Sequence, residues 1–360
     1  MSSYSNSLEP INYYRNIERF EKYKKITEYL KKIKLNSNAC LTTYNNISYF
    51  LEESILLTHK IGSSSTFGVV YKAKNINNRY KDIPFFTVKI QLNTNSLNRE
   101  IEFLSKLSSL GIKYKIPNLP ILYKIIKCPY NSKFKLFEGI SNTVVSNGYT
   151  MIINELASGD LKSFLNDKYS LDLTDELWRN IYEQLFISLV IIHSLGLVHN
   201  DAHNGNFLYH KIKKGGCFHY KINGDDYYIK NMGFLWTSWD YGKINKMKNK
   251  GSYIYDYMMV NLVTRKNDYK KRTVDYNKHE YYGNKEWGYL NSSTIVPPSI
   301  EKFQEKLWYL LGGTNHNNDI FIIRKRKMKE AQFLKFLLEK KLLFSKKPIG
   351  TIISSVNIKL

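Results

Sequence analysis

The chain has 360 residues, 43% of them hydrophobic, and a formal net charge of +23. That is apolar material for one large core or two modest ones, beneath a surface basic enough to attract nucleic acid, anionic lipid, acidic protein or a polyphosphate ligand. No apolar run approaches the ~18 residues of a membrane span. The opening "MSSYSNSLEP" has no apolar signal core, and Cys40, Cys128 and Cys217 are widely spaced and outside any CxxC arrangement. The expectation is an intracellular protein with free thiols, without a membrane span, a disulfide framework or a zinc site.

Residues 1–47 form an extension whose stretch "YRNIERFEKYKKITEYLKKIK" carries Ile17, Phe20, Ile26 and Leu30 at roughly helical spacing. This predicts a helix packed on the main domain. From 48 to 92 the runs "SILLTHKIG", "FGVVYKAKN" and "FFTVKIQL" are β-branched or aromatic and divided by Gly, Ser and Asn, the pattern of strands. "SLNREIEFLSKLSSLG" reads as a helix with Leu97, Ile101, Leu104 and Leu107 on one face and Gly111 ending it. "ILYKIIK" and "YTMIINEL" return to strand character around a polar loop at 131–148.

After "ASGD" the chain turns helical. In "TDELWRNIYEQLFISLVIIHSLG", Thr174 is a candidate N-cap, acidic residues fill the first turn, and Gly196 closes the helix. Strands first and helices afterwards predict an α+β chain. Its domain spans 48–345, with a small β-rich lobe to about 155, a larger mainly helical lobe beyond, and a tail at 346–360.

That helix delivers "VHNDAHNGNFLYH", the most polar reactive cluster in the chain. Asp201 and Asn206, five apart in a loop, can aim two oxygen-bearing side chains into one cleft. Asp201 suits orienting a hydroxyl and taking its proton, and Asn206 offers a carbonyl oxygen to Mg²⁺. "LWTSWDYGK" supplies a carboxylate, Asp240, on a turn after an apolar run.

These motifs, in this order, resemble the protein-kinase family. "HNDAHNGN" resembles its catalytic loop, HRDxxxxN, with His199, Asp201 and Asn206 on matching positions, and "DYG" at 240–242 resembles DFG. The resemblance puts Lys89 of "TVKI" on the α/β-phosphates of ATP and Glu100 of "NREIEFL" on that lysine. In "IINELASGDL", Glu155 and Leu156 would offer backbone groups to adenine, and Asp160 would reach the ribose. The glycine loop is the weakest match. Ile61, Gly62, Ser63, Ser64, Ser65, Thr66, Phe67, Gly68, Val69 and Val70 would cover the phosphates, with serine in the middle where the family carries glycine.

Several departures bear on substrate. Asn200 replaces the HRD arginine, and His203 stands where Ser/Thr kinases carry a lysine that contacts the γ-phosphate. A long insertion, read as an enlarged β-hairpin with "KKGG" and "NGDD" turns, separates Asn206 from Asp240. No APE motif follows, and "YIYDYMM" begins the next core helix with Asp256 as its anchoring acid. These features, with a composition rich in Asn, Lys, Tyr and Ile, look most like the divergent Ser/Thr kinases of large DNA viruses. The resemblance implies transfer of the ATP γ-phosphoryl group to protein hydroxyls, with Mg²⁺ on Asn206 and Asp240. The alternatives are a small-molecule or lipid-type phosphotransferase, a kinase-fold binding protein without turnover, and, last, a primary nucleic-acid binder. Ten Lys or Arg against three Asp between Lys243 and Lys278 suit either a solvated face or docking of acidic protein substrates. "RKRKMK" at 324–329 reads as a charged helix face or a nuclear-import signal.

Overall fold

Side chains alternate across a strand, and the run "FTVKIQL" uses both sides. Val88 and Ile90 enter one apolar cluster, while Lys89 between them points the opposite way. The computed structural model describes residues 16–33, 40–44, 48–51, 54–65, 68–76, 82–129, 148–166, 173–247, 252–264, 273–275, 281–282, 296–311 and 329–360. Thr66, Phe67, the polar loop but for Gly148, most of the Lys and Arg residues of the basic strip and residues 324–328 lie outside them.

Seven strands form one antiparallel sheet in the order β1-β2-β3-β4-β5-β7-β6. They are β1 (Thr42–Tyr44), β2 (Ser48–Leu51), β3 (Ile55–Ser65), β4 (Gly68–Asn75), β5 (Phe86–Leu92), β6 (Leu122–Cys128) and β7 (Tyr149–Glu155). Helix α1 (Asn16–Lys32) is part of this assembly. Its Ile26, Tyr29 and Leu30 are buried with Val88, Ile90, Met151 and Ile153 in one cluster.

Helix α2 (Asn95–Tyr114) begins at Thr94, whose hydroxyl accepts the Leu97 N–H at 3.2 Å. The helix does not end at Gly111. It runs on to Tyr114 and is closed by Lys115 in the left-handed conformation, φ 55°. Gly111 serves packing: a Cβ there would lie 3.1 Å from the Leu119 Cβ.

The chain continues through β8 (Gly159–Asp160), α3 (Leu161–Asn166) and α4 (Asp175–Ser194). Thr174 caps α4 by accepting the Leu177 N–H at 3.3 Å, and Gly196 turns the chain away with φ 71°. From Ile181 to His193 nearly every α4 side chain is buried, as an apolar helix at the centre of a core requires. Its neighbours are β9 (Leu197–Val198), β10 (Phe207–Lys211), β11 (Cys217–Ile222), β12 (Asp225–Lys230), β13 (Phe234–Ser238) and β14 (Asn245–Lys246). After them come α5 (Tyr253–Val263), β15 (Thr273–Asp275), β16 (Tyr281–Tyr282), α6 (Pro298–Leu310), α7 (Glu330–Glu339) and β17 (Ile352–Ile358). The architecture is α+β. The larger cluster joins α2 residues and Ile152 to α4, α5, α6 and α7, so the core is continuous from the main sheet into the helices.

The insertion is two ladders. β10 pairs antiparallel with β13, and the hairpin β11–β12 forms a separate sheet. The hairpin turns at Asn223 and Gly224, both with positive φ (49° and 94°), as a two-residue type I′ connection requires. The segment expected as a tail instead adds β17 parallel to β11.

The free-thiol expectation is corrected for two cysteines. Cys40 and Cys128 form a disulfide with a Cα–Cα distance of 5.8 Å, and Cys217 remains a buried thiol. A separation of 88 residues hides this pair from any reading of spacing. No described helix is long and apolar enough to cross a membrane.

Candidate active site

On the main sheet, Lys89 lies opposite Ile152, on the face that meets α2. Glu100 is one turn into α2, on the same side as Leu97 and Leu104, and only 3% exposed. The two meet as a buried ion pair, Nζ to Oε1 2.6 Å. Burial works against the Lys89 charge, but the Glu100 and Asp240 carboxylates outweigh it and raise its pKa. Residues from strand, helix and a distant turn therefore act on one another here.

Asp240 reaches this point through the β10–β13 ladder. The register Phe207↔Ser238 brings the two strand ends together, and the Trp239 N–H donates to the Asn206 carbonyl at 2.8 Å. Residues 33 positions apart in the chain thus become neighbours. Asp240 itself has φ 56°, a left-handed turn, and its Oδ1 accepts the Gly242 N–H at 3.3 Å. Burial favours its neutral form, yet the Lys89 charge and that N–H hold its carboxyl below the usual range.

The catalytic-loop candidates lie at the same end of the ladder as Asp240. Asp201 is 6% exposed. Asn206 donates its amide nitrogen to the Asp201 carbonyl at 2.9 Å, which leaves Oδ1 as its atom for a cation. His199 donates Nε2–H to the Trp239 carbonyl at 2.9 Å and so ties the loop to the approach of Asp240. Asp256, at the start of α5, accepts the His199 and Asn200 N–H groups at 2.7 and 2.8 Å. This is the anchoring acid expected from "YIYDYMM". Its other partner is His193, 2.9 Å away, which also meets Glu330 at 2.6 Å.

His203 caps the short turn Asn204–Asn206, its Nδ1 accepting the Gly205 N–H at 3.1 Å. In the neutral ring Nε2 therefore carries the hydrogen, and it lies 3.9 Å from Asp201 Oδ2. Burial holds this imidazole below its ordinary pKa.

Two residues expected to contact nucleotide also have partners within the protein. The Glu155 N–H is already spent on the Ile121 carbonyl at 3.1 Å, so only its carbonyl remains for a base, and that accepts the Thr87 hydroxyl at 3.3 Å. The Glu155 carboxylate faces inward to Arg19 and accepts the Ile121 N–H at 3.0 Å. Burial would raise its pKa, but Arg19, His210 and this N–H hold it low. Asp160 caps α3 through Oδ1, which accepts the Ser163 N–H at 2.7 Å, and so has one oxygen left for a ribose. Leu156 follows β7 directly, at the sheet's exit into β8.

The serine-rich segment forms the β3–β4 hairpin. Ile61 pairs with Val70 and Ser65 with Gly68, while the chain between them is irregular and Gly62 has φ 68°. Gly68 is needed for the sheet as well, since a Cβ would lie 3.1 Å from the Ile90 carbonyl oxygen. Val69 is buried in the α1-side cluster. Ser63 and Ser64 continue β3 towards the hairpin tip.

Among the described residues no group of three or more His, Cys, Asp or Glu side chains could hold a metal by itself. Asn206 Oδ1 and the ionised Asp240 are hard oxygen donors, fit for a Mg²⁺ that completes its shell with phosphate and water oxygens. Sequence reasoning missed two participants. Lys243 places Nζ 3.0 Å from Asp201 Oδ1, and Arg19 pairs with Glu155. The first stands three residues after Asp240, a position worth noting; nothing local marks the second. No protein-family model matches the chain, and no curated protein matches it.

Proposed function

We propose that this chain is an ATP- and Mg²⁺-dependent Ser/Thr protein kinase. The observation that carries the reading is the buried Lys89–Glu100 pair at 2.6 Å beside Asp240, since protein-kinase activity requires a strand lysine fixed by a helix glutamate next to the metal-binding aspartate. Lys89 would neutralise the α/β-phosphates, and Glu100 keeps its long side chain in one rotamer. Asp201 would orient the substrate hydroxyl and take its proton, held by the Asp256-anchored loop. Mg²⁺, when bound by Asn206 and Asp240, would neutralise charge on the phosphates. The α+β arrangement, a sheet with α1 and α2 packed on it feeding a larger helical core, supports a two-lobed kinase-like fold.

A small-molecule phosphotransferase is the second reading, favoured by His203 at the catalytic-loop lysine position. One assay separates the two: radiolabelled ATP with Mg²⁺, offered casein, a basic protein and a panel of hydroxyl metabolites in parallel. Label in protein that Asp201→Ala abolishes supports the kinase. Label in a metabolite alone supports the second reading, and no transfer to any acceptor leaves a binding protein.

A further inference from the structure

We infer that Lys243 is the positioning residue for Asp201, fixing one carboxylate oxygen so that the other is aimed at the incoming hydroxyl; this rests on the kinase reading above. A carboxylate that is 9% exposed needs a partner, and within its own loop the nearest basic side chain, His203, stands 3.9 Å away, beyond hydrogen-bond reach. Lys243 comes instead from the turn after Asp240 and meets Oδ1 at 3.0 Å.

Its backbone is held for that purpose. The Lys243 carbonyl accepts the side-chain amides of Asn200 and Asn245, both at 3.2 Å, and the Ile244 N–H donates to the Tyr241 carbonyl at 3.2 Å. Asn200 stands beside Asp201, so the metal-binding turn is tied to the catalytic loop twice, through the Lys243 carbonyl and through its ammonium. The lysine's side chain is half-exposed, 52%.

The chemistry divides the two carboxylate oxygens. Oδ1 carries the Lys243 ammonium. Oδ2 has no hydrogen-bond partner among the described residues and takes the proton of the substrate hydroxyl. The hydroxyl oxygen forms its bond to the γ-phosphorus as the bridging P–O bond breaks, and that electron pair leaves on ADP. Without Lys243 the carboxylate can rotate, and both oxygens sample the hydroxyl poorly.

The test compares wild type, Lys243→Met, Lys243→Arg, Asp201→Ala and the Asp201→Ala/Lys243→Met pair. Each is assayed for kcat, KM for ATP and melting temperature. For Lys243→Met we expect kcat to fall on the order of 10²-fold with KM for ATP within about twofold. Lys243→Arg should recover most of the loss, and the double variant should be no slower than Asp201→Ala alone. Wild-type transfer that Asp201→Ala abolishes, with Lys243→Met at full rate, sinks this inference and leaves the kinase standing. A loss in Lys243→Met that arginine does not restore, or one that adds fully to that of Asp201→Ala, also overturns it. Absence of transfer by wild type overturns the kinase reading itself.

Discussion

Arg19 Nε donates to Glu155 Oε2 at 2.9 Å across 136 residues of chain, joining α1 to the last residue of β7. The same guanidinium donates to the Pro117 and Leu119 carbonyls, at 2.6 and 3.1 Å. Because Glu155 is followed directly by the proposed adenine-contacting segment, the amino-terminal helix sets where that segment begins.

Arg19→Met should therefore destabilise the fold. It strands a carboxylate that is only 10% exposed, and removing one partner of a buried pair costs about 3–5 kcal/mol. Urea unfolding at neutral pH measures this. The Arg19→Met/Glu155→Gln protein should regain part of the loss. An Arg19→Met single variant as stable as wild type would mean that the pair contributes nothing.

Alkaline pH should weaken the protein through His193. Burial lowers its pKa, but Glu330 and Asp256 outweigh burial and raise it to about 9. In the unfolded chain it titrates near the usual 6.5. Its contribution is thus complete below about pH 6.5 and is lost as pH rises through 9, a change on the order of 3 kcal/mol. Melting temperature from pH 6 to 10 should fall more steeply for wild type than for His193→Gln. Parallel curves would exclude this histidine as the cause.

Nucleotide binding should depend on Mg²⁺, and Asp240→Ala should remove that dependence. Titrating ATP with and without Mg²⁺ and following thermal stability provides the measurement. Glu100→Gln should leave binding weaker by a modest factor but slow transfer on the order of 10²-fold, since Lys89 loses the charge that orients it. Equal stabilisation by ATP in the presence and absence of Mg²⁺ would favour a binding protein.

The Cys40–Cys128 bridge closes a long loop, so its reduction should cost about 4.6 kcal/mol in the chain-entropy view. Peptide mapping without reductant should return that pair as one linked species and Cys217 as the alkylated thiol. Linked peptides containing Cys217 would contradict the fold.

Activity should not require phosphorylation between Gly242 and Asp256, a stretch that includes the first turn of α5. Asn200 cannot form the bidentate charged pair that a phosphate prefers, and it is engaged with Lys243 and Asp256. Of the hydroxyl-bearing residues Ser252, Tyr253 and Tyr255, Tyr253 is 2% exposed. The triple variant Ser252→Ala, Tyr253→Phe, Tyr255→Phe and phosphatase-treated wild type should both keep most of the activity. Loss in both, restored by rephosphorylation only in wild type, would establish a phosphorylation switch.

What the sequence determined by itself is local. The cap at Thr174, the exit at Gly196, the Asn223–Gly224 turn and the strand around Lys89 each depend on a few neighbouring residues, and spacing alone reveals them. The chemical inventory of Lys89, Glu100, Asp201, Asn206 and Asp240 was equally legible, because its residue types and order carry the resemblance. Gly111 misled for the same local reason: glycine is a common helix end, and only the approach of Leu119 from outside the helix explains it. The tertiary structure alone decided the pairings. Cys40 with Cys128, Arg19 with Glu155 and Lys243 with Asp201 span 88, 136 and 42 residues, distances over which periodicity holds no information. Each pairing follows from where a sheet register or a packed helix sets two backbones, and burial then penalises any charge left uncompensated there.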